Sequence, residues 1–316
     1  MGDSYWKIYK KELKTDAENC ELYAIAGRST EKVREFKDKF GFEKAYTDYE
    51  ALLQDEEVSA VYIPLPNHLH YEWVMKAIEA GKNVLCEKPL APTAKQAAEL
   101  YAAAKKKGVL LMEAFAYLHT PYIAALKKEI QNKSFGDVCY IESAFITSDY
   151  NLSNIRMHKE YYGGATYDLG CYCTSMILSM LDKEPKSVQG VAEYSAEGVD
   201  VLTTAIMNFG EGIRANFTCG MSFETEEYRR FDRLYIHGSR GYIKSATEFN
   251  QEGDLQYTLC VDGKEEVKTV KALQNYRLEV EQLGRCITEG ESPLITEDFS
   301  VKNARMIDNV LSAIGY

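Results

Sequence analysis

The stretch that decides the fold covers residues 58–112 and reads VSAVYIPLPNHLHYEWVMKAIEAGKNVLCEKPLAPTAKQAAELYAAAKKKGVLLM. Three short apolar runs in it have the length of buried strands, and two longer segments between them have the apolar spacing of helices. The strands are at 58–63, 83–86 and 109–112, and the helices at 71–80 and 93–107. Parallel strands need such crossover connections, so the pattern predicts a doubly wound parallel sheet.

The same alternation starts upstream, with a strand at 22–26 and a helix at 30–40, and it stops near residue 115. Later segments are long and rich in β-branched and aromatic residues, with turn signals between them, which predicts an open, mainly antiparallel sheet. The strands are at 138–147, 201–209 and 213–219, and helical patterns cover 165–181, 276–289 and 299–314. A chain of 316 residues usually forms two domains, which we place at 1–114 and 115–316.

Composition excludes several classes of protein. Lys and Arg number 37 against 48 Asp and Glu, and the resulting net charge of −11 disfavours nucleic acid and anionic membranes as partners. No apolar stretch is long enough to span a bilayer, and the N-terminus lacks the order of a secretory signal. Eight scattered cysteines indicate a reduced, cytoplasmic protein. His68 and His70 have no third ligand nearby, so no metal site is predicted.

The N-terminus departs from the expected pattern. A doubly wound nucleotide domain opens with an apolar strand and a glycine-rich turn, followed by a helix N-terminus that holds phosphate. This sequence begins with Met1-Gly2-Asp3-Ser4, and residues 5–13 already have the pattern of that first helix. The strand and most of the turn are therefore expected to be missing, through a misassigned start or a true loss. Either case predicts weak cofactor binding and a marginal N-terminal half.

Three motifs in order make the chain resemble the Gfo/Idh/MocA oxidoreductase family. They are Pro64-Leu65-Pro66-Asn67-His68-Leu69-His70 after one strand, Glu87-Lys88-Pro89 after the next, and Gly163-Gly164-Ala165-Thr166-Tyr167-Asp168-Leu169-Gly170-Cys171-Tyr172. The resemblance implies a Rossmann-type dinucleotide-binding domain followed by a substrate-binding and oligomerisation domain. Many relatives have a histidine where this chain has Tyr172. That change resembles the branch that includes dimeric dihydrodiol dehydrogenase.

Ligands of open α/β sheets lie beyond the carboxyl ends of the strands. The residues that follow the predicted strands are therefore the candidates for cofactor binding: Arg28, Ser29, Pro64, Asn67, His70, Glu87, Lys88 and Glu113. An enzyme that prefers NAD usually has an acidic residue where this chain has Arg28. Arg28 and Ser29 favour NADP over NAD, because they suit a 2′-phosphate. The alternative is an exposed arginine beside a serine that caps a helix.

The resemblance implies that Lys88, Tyr172 and Asp168 are catalytic. A lysine ammonium can stabilise a developing alkoxide, and a tyrosine needs a cationic neighbour to act as a base near neutral pH. Asp168 lies four residues before Tyr172, and either orients the substrate hydroxyl or caps the helix. Arg156 either lines the substrate pocket or is solvated. The substrate-binding candidates are thus Arg156, Asp168 and Tyr172.

The function implied is hydride transfer between NAD(P) and a secondary alcohol of a sugar, polyol or diol. An alternative is a non-catalytic, N-terminally truncated relative that binds sugar or serves as a structural protein. A transcriptional regulator is disfavoured by the charge and by the lack of a helix-turn-helix pattern. An open sheet leaves a broad face, so a homodimer or homotetramer is expected.

Overall fold

The computed structural model describes residues 17–148, 151, 153–222 and 230–316. The helix predicted over residues 5–13 lies outside the described residues. The described residues of the N-terminal half form five strands, all paired in parallel, and four helices that alternate with them. They are β1 (Ala24–Ala26), α1 (Thr30–Phe40), β2 (Lys44–Tyr46), α2 (Tyr49–Gln54), β3 (Ala60–Ile63), α3 (Asn67–Glu79), β4 (Asn83–Glu87), α4 (Ala94–Lys107) and β5 (Leu111–Ala114). The sequence predicts this alternation but not the second strand and the second helix.

Local signals explain the bounds of these helices. The Ser29 hydroxyl accepts from the Lys32 N–H at the start of α1, and the helix ends at Gly41 with a left-handed φ of 72°. The hydroxyl of Thr93 caps α4 in the same way, and its last turn carries Lys105, Lys106 and Lys107, which complement the helix dipole. The helix predicted at 71–80 begins at Asn67, four residues earlier than expected.

The parallel strands form two separate sheets in the described part of the chain. β1 pairs with β2, while β3, β4 and β5 form the other sheet in that order. Between β1 and β3 lies a cavity of about 990 Å³, lined by residues of both strands. Apolar side chains from surrounding elements complete its walls, among them Val33, Trp73 and Leu283. The strand order of doubly wound sheets places the first strand of the domain at this position.

The C-terminal half is built on one eight-stranded sheet, in which six of the seven pairings are antiparallel, as predicted. The exception is one parallel pair in the interior of the sheet, formed by Val138–Thr147 and Ile213–Gly220. The strands are β6 (Val138–Thr147), β7 (Ser187–Tyr194), β8 (Asp200–Gly210), β9 (Ile213–Gly220), β10 (Arg230–Gly238), β11 (Gly241–Ser245), β12 (Gly253–Val261) and β13 (Lys264–Ala272). Their order is β13-β12-β11-β10-β6-β9-β8-β7.

Helices cover this sheet and connect it to the first half. They are α5 (Pro121–Gln131), α6 (Cys171–Leu181), α7 (Asn275–Glu289) and α8 (Glu297–Ile314). The helix predicted at 165–181 is confirmed in extent, but Thr166–Gly170 form a π-helical turn and the α-helix α6 follows it. The carboxylate of Asp308 in α8 accepts from the Ala94 N–H, 3.0 Å away, so the last helix caps the N-terminus of α4. No helix within the described ranges is long and apolar enough to cross a membrane.

The cavity between β1 and β3 has the boundaries that a further strand requires. In the described residues, β1 and β3 each pair with only one neighbour, so their facing edges carry backbone groups available for pairing.

Candidate active site

Lys88 stands directly after β4, at the carboxyl edge of the parallel sheet, and its side chain is 3% exposed. Its Nζ atom donates to the backbone carbonyl of Asp168 at 2.7 Å and to the Asp168 carboxylate at 3.1 Å. These two residues are 80 positions apart and come from different halves of the chain. The two motifs that contain them therefore meet in one site.

Asp168 holds two cations at once. Its Oδ1 atom faces Lys88, and its Oδ2 atom accepts from Nε of Arg156 at 2.6 Å. Burial opposes ionisation of this carboxyl, but the charges of Arg156 and Lys88 outweigh it and lower the pKa of Asp168 to about 2. Asp168 is therefore a carboxylate at neutral pH. It lies within the π-helical turn, where it links Arg156 to Lys88 and does not cap the helix.

Tyr172 follows on the first turn of α6 and is partly exposed. The Lys88 ammonium lies 4.6 Å from the centre of its ring, in a cation–π contact. Four other aromatic rings surround it, with centroids 5.2 to 6.1 Å away: Phe249, Phe145, Tyr117 and Phe115. This packing fixes the direction of the phenol.

The two glycines before Asp168 are required by the protein's own packing. A Cβ at Gly163 would overlap the Arg156 carbonyl, and one at Gly164, where φ is +106°, would overlap the carboxylate of Asp200. Asp200 is fully buried, and it accepts from the backbone and hydroxyl of Thr166 at 2.8 and 2.6 Å. Because neither glycine has a side chain, the turn that carries Asp168 can pack closely against the Asp200 carboxylate.

Comparison with known proteins decides the family. Residues 2–115 match the sequence model described as an oxidoreductase family with an NAD-binding Rossmann fold, and residues 123–244 match the GFO/IDH/MocA C-terminal domain. The chain belongs to the Gfo/Idh/MocA family. It is accordingly an NAD(P)-dependent oxidoreductase, and its Rossmann-type half followed by a larger mixed sheet is the fold of that family.

Individual members of the family align along nearly the whole chain. A D-xylose 1-dehydrogenase (NADP(+)) of Haloferax volcanii is 31% identical over 297 residues, which cover 93% of this chain and 90% of the relative. A trans-1,2-dihydrobenzene-1,2-diol dehydrogenase of Xenopus tropicalis is 30% identical, with 93% and 90% covered. The crystal structure of KijD10, a 3-ketoreductase from Actinomadura kijaniata with NADP and TDP-benzene, superposes with a TM-score of 0.90 at 28% identity, covering 99% of this chain and 95% of that one.

Three of the expected cofactor ligands lie beyond the carboxyl ends of β1 and β3 and line the cavity between these strands: Arg28, Ser29 and Pro64. The Arg28 side chain is exposed. Burial lowers the pKa of His68 on α3, and the positive charge of Arg28 lowers it further. Ser29 also caps α1, so both roles weighed for it are compatible. A bound dinucleotide suits this donor set, because a guanidinium, a hydroxyl and the nearby Lys32 are phosphate ligands.

Four other expected cofactor ligands make contacts within the protein. The Asn67 amide donates to the Tyr162 carbonyl at 2.9 Å, and Glu87 accepts from the Tyr62 hydroxyl at 2.5 Å. His70 places both ring nitrogens against backbone carbonyls, and Glu113 accepts from a backbone N–H. The prediction that His70 contacts the cofactor directly is therefore corrected, because both of its ring nitrogens already have partners within the protein. For Asn67, Glu87 and Glu113 direct contact stays a prediction.

Two charged side chains near the site were not identified from the sequence. Asp200 anchors the Gly-Gly turn, and Arg230 stacks over Phe145 at 4.5 Å while Asp232 binds its Nε atom at 2.6 Å. Both lie at strand ends without a recognisable motif. Their roles depend on contacts between segments distant in sequence, so no local signal indicates them.

Gly164→Ala is expected to lower the free energy of unfolding by about 3 kcal/mol or more, because the positive φ is strained and the new methyl group overlaps Asp200. Gly198→Ala is the matched control, since Gly198 also has a positive φ, +74°, but has nothing within 4 Å. It should lose only about 1–2 kcal/mol. Urea unfolding of both variants measures the difference, and equal losses would show that the overlap is relieved.

Arg28→Asp should shift cofactor preference from NADP toward NAD, because it replaces a phosphate-pairing cation with a repelling carboxylate. The measurement is the ratio of the two dissociation constants by calorimetry. Arg34→Asp, an equal change of charge at an exposed position on α1, is the control and should leave the ratio unchanged. An unchanged ratio in the Arg28 variant would mean that Arg28 does not face the 2′ position.

Proposed function

We propose that this oxidoreductase interconverts a secondary alcohol and a ketone in a sugar, polyol or diol, with NADP as the preferred cofactor. The observation that carries the proposal is the Lys88 ammonium, buried against Asp168 and lying over the ring of Tyr172. A bound nicotinamide supplies or accepts the hydride. The chain's own residues bind and orient the alcohol and move its proton.

Tyr172 and Lys88 act together on the hydroxyl proton. Tyr172 is the more exposed of the two, so its oxygen meets the substrate hydroxyl. As a phenolate it takes the hydroxyl proton during oxidation, and the resulting phenol then releases that proton to solvent. The Lys88 ammonium stabilises the phenolate before the transfer and the negative charge that develops on the substrate oxygen during it. Asp168, ionised at neutral pH, keeps that ammonium charged and in place. In reduction the phenol donates its proton to the substrate oxygen.

Relatives support these roles. Solved structures of the KijD10 reductase include a tyrosine-to-phenylalanine variant and two variants of one lysine. Those two positions are 84 residues apart in that protein, the same separation as that between Lys88 and Tyr172 here. The relatives named for D-xylose and for a dihydrodiol favour a polyhydroxylated substrate. A non-catalytic sugar-binding role is disfavoured, because it gives no reason to bury Lys88 beside Tyr172.

Assembly and location complete the proposal. Val191 and Ile206 on β7 and β8 are 73% and 57% exposed, which favours a homodimer or homotetramer that covers apolar parts of the open sheet. All eight cysteines are free, which suits the reducing cytoplasm.

Lys88→Met should lower turnover at least about a hundredfold while leaving NADP affinity within a few-fold, the signature of lost transition-state stabilisation. The assay follows NADP⁺ reduction with D-xylose and with trans-1,2-dihydrobenzene-1,2-diol. Lys82→Met is the matched control, since Lys82 is also buried but donates to the Asp55 carbonyl. It should keep its turnover. Near-normal turnover of the Lys88 variant would remove this lysine from the chemistry.

A further inference from the structure

The peptide group between Pro89 and Leu90, one residue beyond Lys88, is held at both of its polar atoms by buried ionisable side chains. Its carbonyl oxygen lies 2.8 Å from Nδ1 of His70, and its N–H donates to Oε1 of Glu113 at 2.9 Å. His70 and Glu113 are 1% and 3% exposed. They come from different elements, α3 and β5.

This arrangement restrains the backbone that carries the catalytic lysine. A peptide group held at both its carbonyl and its N–H cannot rotate without breaking one of the two hydrogen bonds. Because these groups are buried, a broken bond leaves a polar atom without water to replace its partner. The second nitrogen of His70 lies 2.6 Å from the Leu65 carbonyl, just beyond the end of β3. A neutral imidazole donates from only one nitrogen, so the clamp requires the tautomer whose Nδ1–H donates to the Pro89 carbonyl.

We propose that His70 and Glu113 are positioning residues, which hold the Lys88 ammonium over Tyr172 by fixing the Pro89–Leu90 peptide group from both sides. In this role neither side chain contacts the substrate. The inference rests on the proposed function of Lys88.

The charged neighbours make Glu113 sensitive to pH near neutrality. Burial raises the pKa of Glu113 to about 7. The hydrogen bonds from Ser300 and Leu90 lower this pKa, the negative charge of Glu87 raises it and the positive charge of Lys88 lowers it. Burial also lowers the pKa of His70, where the Pro89 and Leu65 carbonyls raise it and the charges of Lys88 and His68 lower it further. Tyr101 of α4 reaches the Glu113 environment through its hydrogen bond to Ser300 of α8.

The sign of the pH effect follows from the raised pKa. A buried carboxyl whose folded-state pKa exceeds its unfolded value stabilises the fold at low pH, and that contribution is lost as pH rises through about 7. The melting temperature of the wild type should therefore fall relative to that of Glu113→Gln, which stays neutral, as pH rises from about 4.5 to about 7, and should change no further above that range.

Two substitutions of Glu113 separate its hydrogen bond from its charge. Glu113→Leu removes the acceptor and should lower kcat about tenfold or more. Glu113→Gln keeps an acceptor for the Leu90 N–H. It should retain kcat within about threefold and lose the dependence of kcat on a group with a pKa near 7.

Two substitutions of His70 test the opposite side of the clamp. His70→Leu removes the contact with the Pro89 carbonyl and should lower kcat about tenfold or more. In His70→Asn the side-chain amide can donate from nearly the position of Nδ1, so most of that loss should be recovered. Tyr71→Phe is the control, because the Tyr71 hydroxyl bonds to Glu99 at the surface, away from Pro89.

Full turnover in Glu113→Leu and His70→Leu would overturn the proposal. Equal losses in the conservative and the leucine variants would overturn it too, because the hydrogen bonds would then not explain the effect. Retained turnover in Lys88→Met would instead remove the proposed function on which the clamp depends. The three results are distinguishable in one set of assays with NADP⁺ and the two substrates named above.

Discussion

The buried ion pair between Lys88 and Asp168 is the constraint around which the two halves of the molecule are arranged. An unpaired charge in the interior is strongly unfavourable, so each of these groups requires the other once the halves meet. Lys88 belongs to the parallel sheet, and Asp168 belongs to a turn packed on the large sheet. Arg156 makes the cluster a triad with one net positive charge beside Tyr172, where the chemistry needs to stabilise negative charge.

Much of the surrounding structure serves to place the two partners of that pair. On one side, His70 and Glu113 hold the backbone just after Lys88. On the other, Gly163 and Gly164 let the turn with Asp168 pack closely against Asp200, whose carboxylate binds Thr166. The last helix then connects the halves, through Asp308 to the start of α4 and through Ser300 to Tyr101. Each of these contacts joins segments far apart in sequence.

Chemistry and cofactor binding depend on different parts of the parallel sheet. The cluster of Lys88, Asp168 and Arg156 lies with Tyr172 beyond β4, where strand pairing is continuous from β3 to β5. The expected phosphate ligands stand beyond β1, across the cavity that separates the two small sheets.

Local patterns were enough to identify the elements and the motif residues. Periodicity and turn residues predicted α1 and β6 with the bounds observed, and three motifs identified Lys88, Asp168 and Tyr172, because such signals operate over a few neighbouring residues. Short elements such as β2, α2 and β7 were missed, since their stability comes from packing. The same limit applies to roles. Only the folded chain shows that His70 binds backbone carbonyls and that Asp168 joins two cations, because these partners become neighbours through tertiary contacts that no local pattern encodes.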